Sequence, residues 1–77
     1  MGNYRPLALK CWELFLMANG YSYRRTKGSH DQWTKEGSRT IAVWGNEKVV
    51  PAMHLQTSCR TIGCTMLHLY EWAVVNC

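Results

Sequence analysis

Three histidines occur in the chain, and the neighbours of His30 single it out. The run Lys27-Gly28-Ser29-His30-Asp31-Gln32-Trp33 sets an imidazole directly after a Gly-Ser pair, close behind Arg24, Arg25 and Lys27. Histidine is the side chain whose unperturbed pKa, about 6.5, lets it take up and release protons near neutral pH. Set among fixed positive charges, such a group suits a phosphodiester substrate. Cleaving RNA without a metal requires a base for the 2′-hydroxyl proton, cations for the extra phosphate charge and a proton for the leaving oxygen. His30 could move the protons, and Lys27 with Arg24 or Arg25 could hold the phosphate. The amides of Gly28 and Ser29 could donate to the same anion, because glycine permits positive φ and close backbone approach to a ligand. A plainer role exists for each piece. A histidine in a turn is commonly a solvated polar residue, and cations on a strand edge discourage aggregation.

The elements that must position this run can be read from its surroundings. Pro6 fits a first helical turn and Gly20, after Asn19, fits a helix stop, so a helix is predicted over residues 7–18. Lys10 and Glu13 share one side of it, while apolar residues cover the rest of its girth. Such a helix must pack against something broad, most simply a sheet. Residues 21–27, 30–35 and 39–44 alternate or carry β-branched and aromatic side chains, which predicts three strands. Gly28-Ser29 and Glu36-Gly37-Ser38 are short connections, so the strands form an antiparallel meander. With Trp33 in the core, Asp31 shares its face and His30 and Gln32 point away. This parity predicts an exposed His30 on the open face of the sheet.

Beyond a loop at residues 45–48, Pro51 can open a second helix that Gly63 ends near Ile62. Thr65 can cap a third segment over 66–75, where Met66, Leu69, Tyr70, Ala73 and Val74 fall at helical spacing. Its β-branched end leaves a strand open as the alternative there. The reading is an α+β domain with a three-stranded antiparallel sheet and its helices on one sheet face.

Seventy-seven residues make one small domain, and 47% hydrophobic content with four tryptophans is enough for a real core. The net charge of +4 favours an anionic partner, although it also serves solubility. Residues 7–18 are the longest apolar stretch; Lys10 and Glu13 interrupt it, and it falls short of the roughly 20 residues of a membrane span. The same charges spoil a signal-peptide core, no small-residue cleavage site follows, and Pro6 stands where a myristoylation signal needs Ser or Thr. No membrane association and a cytoplasmic location are expected.

Cys11, Cys59, Cys64 and Cys77 form no Cys-x-x-Cys pair, and reduced, mostly buried thiols are expected. His54, Cys59, Cys64 and His68 have ligand types that suit zinc, but their spacing matches no compact zinc motif, so no metal is assigned. His54 otherwise reads as a polar surface residue with phosphate contact as the alternative, and His68 as packed or partner-facing. Trp12, Trp33 and Trp72 read as core or interface. Trp44, closing a strand, either packs or stacks on an RNA base. No paired carboxylates, P-loop, nucleophile elbow or Ser/His/Asp arrangement stands out in the sequence.

Asn19-Gly20-Tyr21, Arg24-Arg25 and Lys27-Gly28-Ser29-His30, with an aromatic at Trp33, resemble the HicA family of bacterial toxins. Thr40-Ile41-Ala42-Val43, Val50-Pro51 and Arg60-Thr61-Ile62-Gly63 echo the family's second half. The resemblance covers about residues 7–63 and leaves 64–77 as a C-terminal extension. It implies an α-β-β-β-α fold like a double-stranded-RNA-binding domain, and a metal-independent mRNA endoribonuclease that halts translation. His30 corresponds to the family's active histidine. A HicB-type antitoxin protein that binds the toxin and covers this histidine is the implied partner, with mRNA as substrate and no small-molecule cofactor. Around the second helix the chain departs from the family. Met53 and His54 replace a glycine and a small polar residue, Gln56 replaces a common basic residue, and Trp44 lies near a position often held by histidine. A catalytically inactive module that binds RNA or an antitoxin through the same basic face is the alternative function.

Overall fold

In a computed structural model, which describes residues 4–77, the predicted helix, three strands and two helices follow in order, with one addition. The elements are β1 (Leu7–Ala8), α1 (Leu9–Ala18), β2 (Ser22–Lys27), β3 (His30–Thr34), β4 (Ile41–Trp44), β5 (Val49–Val50), α2 (Ala52–Ile62) and α3 (Met66–Asn76). The addition is a two-stranded ladder in which Leu7 pairs with Val50 and Ala8 with Val49. It corrects the predicted start of the first helix. The backbone of Leu7 and Ala8 is held extended by β5, so α1 opens at Leu9, and Pro6 does not lie in its first turn.

Strands β2, β3 and β4 form the antiparallel meander in that spatial order. Each is one or two residues shorter than its sequence pattern. Trp33, Ile41 and Val43 from one sheet face join Trp12, Phe15, Leu16, Leu55, Cys59, Met66 and Leu69 in a single apolar cluster. The helices therefore lie on that side of the sheet, with α3 packed against α1 and α2. They cover β3 and β4 but leave β2 exposed along its whole length. Helix α1 buries only Cys11, Trp12, Phe15 and Leu16, whereas Leu14 and Met17 face solvent, so its apolar girth is broader than the surface it packs on.

Residues 64–77 are part of this core. The Thr65 side chain accepts a hydrogen bond from the His68 amide at 3.0 Å and caps α3, as the sequence predicts. Leu69 is fully buried, with Met66 and Ala73 nearly so, while Val74 turns outward. Helices α1 and α3 pack together closely enough for Cys11 and Cys77 to form a disulfide, their Cα atoms 5.8 Å apart. The expectation of reduced thiols holds for Cys59 and Cys64 and fails for this pair. Sequence spacing carries no sign of the contact, since 66 residues separate the two cysteines. Among the described residues no helix is long and apolar enough to cross a membrane.

If α3 is a core element, truncating its buried side must cost far more than truncating its outer side. Leu69→Ala is expected to destabilise the fold by about 3 kcal/mol, and Val75→Ala by less than about 0.5 kcal/mol. Denaturant unfolding of the two variants measures both, and equal small losses would show α3 to be loosely held.

Candidate functional site

The turn between β2 and β3 has two central residues, Gly28 and Ser29, and Lys27 lies directly opposite His30. Gly28 takes a φ of 65°, which a two-residue hairpin of this hand needs at its first central position. The register then runs on without interruption through β3. His30 lies opposite Trp44, Asp31 opposite Val43, Gln32 opposite Ala42 and Trp33 opposite Ile41. Because Val43, Trp33 and Ile41 are buried, the alternate residues form the outer face. Lys27, His30 and Trp44 make one row across it, and Arg25, Gln32 and Ala42 make the next.

A bulge between Tyr23 and Arg25 adds Arg24 to β2. It lets Arg24 and Arg25 line one shallow depression of about 210 Å³, together with Gln32, Thr34 and Thr40. Arg24, Arg25, Lys27, Gly28 and Ser29 are all exposed. The structure thus brings the predicted residues onto one surface, with the cations on the uncovered strand and the histidine beside them.

His30 departs from the expectation of full exposure. It is half-buried because the Trp44 ring lies edge-on to its imidazole, with centroids 4.6 Å apart. The other neighbour of Trp44 is His54, from the first turn of α2, stacked on the indole with centroids 4.1 Å apart and an interplanar angle of 19°. An indole bracketed by two imidazoles results, and two of its three members come from outside the Gly-Ser-His run. Sequence reading left Trp44 and His54 as unconnected residues. The only available signal was their position at the end of a strand and the start of a helix, and that does not reveal a contact. Nδ1 of His54 is buried without a hydrogen-bond partner. The zinc alternative does not assemble: His54 lies on Trp44, while His68 is near Phe15, centroids 6.1 Å apart. Cys59 and Cys64 sit together at the end of α2, and burial, followed by the Cys64 contact, pushes the Cys59 thiol up to about 12.

On the opposite face, Asp31 accepts a hydrogen bond from Thr26 Oγ1 at 2.7 Å, and that hydroxyl meets the Tyr23 hydroxyl at 2.7 Å. Gly45 lies so close to the Asp31 carboxylate that a Cβ there would collide with it. Glu13 of α1 lies within electrostatic reach of Asp31. Burial, and then the charge of Asp31, pushes the Glu13 carboxyl above its ordinary value, while Lys10 pulls it down. Asp31, opposite Val43, lies across the sheet from the outer-face row and is no part of that surface.

Comparison with protein-family models, with curated proteins and with solved structures finds no match to this chain.

A raised carboxyl pKa in the folded state means that ionisation works against folding. The penalty is absent below the ordinary value of 4.5 and fully present once pH exceeds the raised value. Glu13→Gln is accordingly expected to raise the melting temperature at pH 7 and to leave it unchanged near pH 4. Thermal melts at both pH values check this, and an equal gain at both would remove the electrostatic cause.

Proposed function

We propose that this protein is a metal-independent endoribonuclease of the HicA toxin type, cutting mRNA and thereby halting translation. The observation that carries the reading is the row Lys27–His30 on the outer sheet face, with Arg25 and Arg24 in the adjoining depression. A proton-transfer group, a directly opposed ammonium and two guanidiniums share one open surface there. In this reading His30 removes the 2′-hydroxyl proton, and Lys27 with Arg25 or Arg24 neutralises the phosphorane charge. The exposed Gly28-Ser29 turn lets backbone amides approach the same phosphate. The double-stranded-RNA-binding-like fold and a HicB-type antitoxin that covers His30 belong to the same proposal. The observed α+β order and three-stranded sheet support the fold without deciding its relatives.

A second reading is favoured by one specific contact. The Trp44 ring against His30 leaves the imidazole half-buried, as suits an inactive module that binds RNA or an antitoxin through its cations. A cytoplasmic location completes the primary reading, because mRNA is the substrate. Cytosolic thiols are held reduced, so the reading requires the fold and its activity to survive opening of the Cys11–Cys77 bond.

The deciding assay is cleavage of RNA by the purified protein and by His30→Ala, with a strong chelator and a thiol reductant present. Wild type is expected to cut, and the variant to lose at least about a hundredfold in rate while still binding RNA. Binding by both proteins without cleavage by either would establish the inactive module. Equal cleavage by both would place the chemistry elsewhere.

A further inference from the structure

The surface that holds His30 does not end at β4. That strand is an edge of the sheet, and α2 runs beside it. Between them lies a groove of about 230 Å³. Ala42 and Trp44 line it on the strand side, and Thr57, Ser58 and Thr61 on the helix side. At one end it reaches the Trp44–His54 stack, and so the row that contains His30. At the other end Thr61 carries it into a concavity of about 400 Å³ lined by Gly37, Ser38, Arg39, Arg60 and Thr61. Thr40 also joins the groove to the depression of Arg24 and Arg25.

Two features of the far concavity point to an anion. Arg39 comes from the loop before β4 and Arg60 from the last turn of α2, yet both line one hollow, and no carboxylate lines it with them. Two guanidiniums that line one hollow can both turn to an oxyanion placed between them, with charge-assisted hydrogen bonds that offset their mutual repulsion. The groove floor between this hollow and Trp44 is mainly apolar, from Ile41, Ala42 and Trp44, and the hydroxyls of Thr57, Ser58 and Thr61 add donors and acceptors along its helix side. An extended polynucleotide, with flat base faces for the apolar floor and phosphates for the charged end, fits both.

We propose that Arg39 and Arg60 form a remote phosphate subsite for single-stranded RNA, reached along the β4–α2 groove from His30. The distance suits a strand rather than a single nucleotide. Residues 40 to 44 of an extended chain span about 13 Å, so the phosphate held at Arg39 and Arg60 lies a few nucleotides from the one at His30. The subsite deepens the ribonuclease reading and rests on it for the identity of the polyanion. It binds and positions RNA, and takes no part in proton transfer.

The test uses the full chain carrying His30→Ala, which prevents cutting, and a short unstructured oligoribonucleotide labelled for fluorescence anisotropy. Arg39→Ala with Arg60→Ala is expected to weaken binding roughly tenfold and to reduce the slope of log affinity against log salt by about 0.7, the share of one phosphate on a single strand. Lys10→Ala, which removes a charge from α1, is expected to change affinity by less than about twofold. Circular dichroism confirms that the exposed substitutions leave the fold intact. Equal losses per charge removed for the arginine pair and for Lys10→Ala would overturn the subsite, since net charge alone would then explain binding. An unchanged affinity, or no RNA binding by the parent protein, would overturn it as well. Cleavage is scored separately with His30 restored. No effect of the arginine pair on binding, with cleavage intact, refutes this inference alone, and the expected effect on binding without any cleavage refutes the ribonuclease reading alone.

Discussion

A two-residue turn governs the placement of everything on the candidate surface. Gly28 and Ser29 close the β2–β3 hairpin so that Lys27 faces His30, and the pairing of β3 with β4 carries that register to Trp44. Side chains alternate along a strand, so a slip of one residue would send Trp33 to solvent and His30 into the core. Burial of Trp33 against the helices therefore fixes the outward direction of His30. The catalytic candidate owes its place to the core residue three positions after it.

The core itself is economical. Helices lie on one side of a small sheet, with α3 against α1 and α2, and Phe15, Leu16, Leu55 and Leu69 are fully enclosed. Because cover extends over β3 and β4 only, β2 is left open on both faces, and the chain places its cations there. The same charges that blunt an exposed edge thus become available to an anionic ligand. The stabilising and functional roles of Arg24, Arg25 and Lys27 are compatible, which is why composition alone could not separate them.

Local signals in the sequence were strong where the cause is local. Gly63 ends α2 in the left-handed conformation with φ of 92°, Thr65 caps α3, and the alternation around Trp33 gives the correct outer face. What the sequence did not show depends on distant partners. The start of α1 shifts because Val49 and Val50 claim the backbone of Leu7 and Ala8. The pairing of Cys11 with Cys77 needs α1 and α3 packed together. His54 meets Trp44 only because α2 runs along the β4 edge, and Arg39 and Arg60 line one hollow for the same reason. The Gly-Ser-His run was visible from the residues, whereas the aromatic bracket and the second cationic hollow are products of tertiary packing.

That the outer sheet face engages RNA is the claim on which the functional account rests. Its most direct test is two-dimensional amide NMR of the wild-type chain during titration with a 2′-O-methylated oligoribonucleotide, which cannot be cut at its blocked hydroxyls. The account predicts shifts concentrated at Arg25, Lys27, Ser29, His30 and Gln32, with the outer side of α3 at Leu67 and Val74 unmoved. Shifts centred on α3, or spread evenly over all the lysines and arginines, would contradict it.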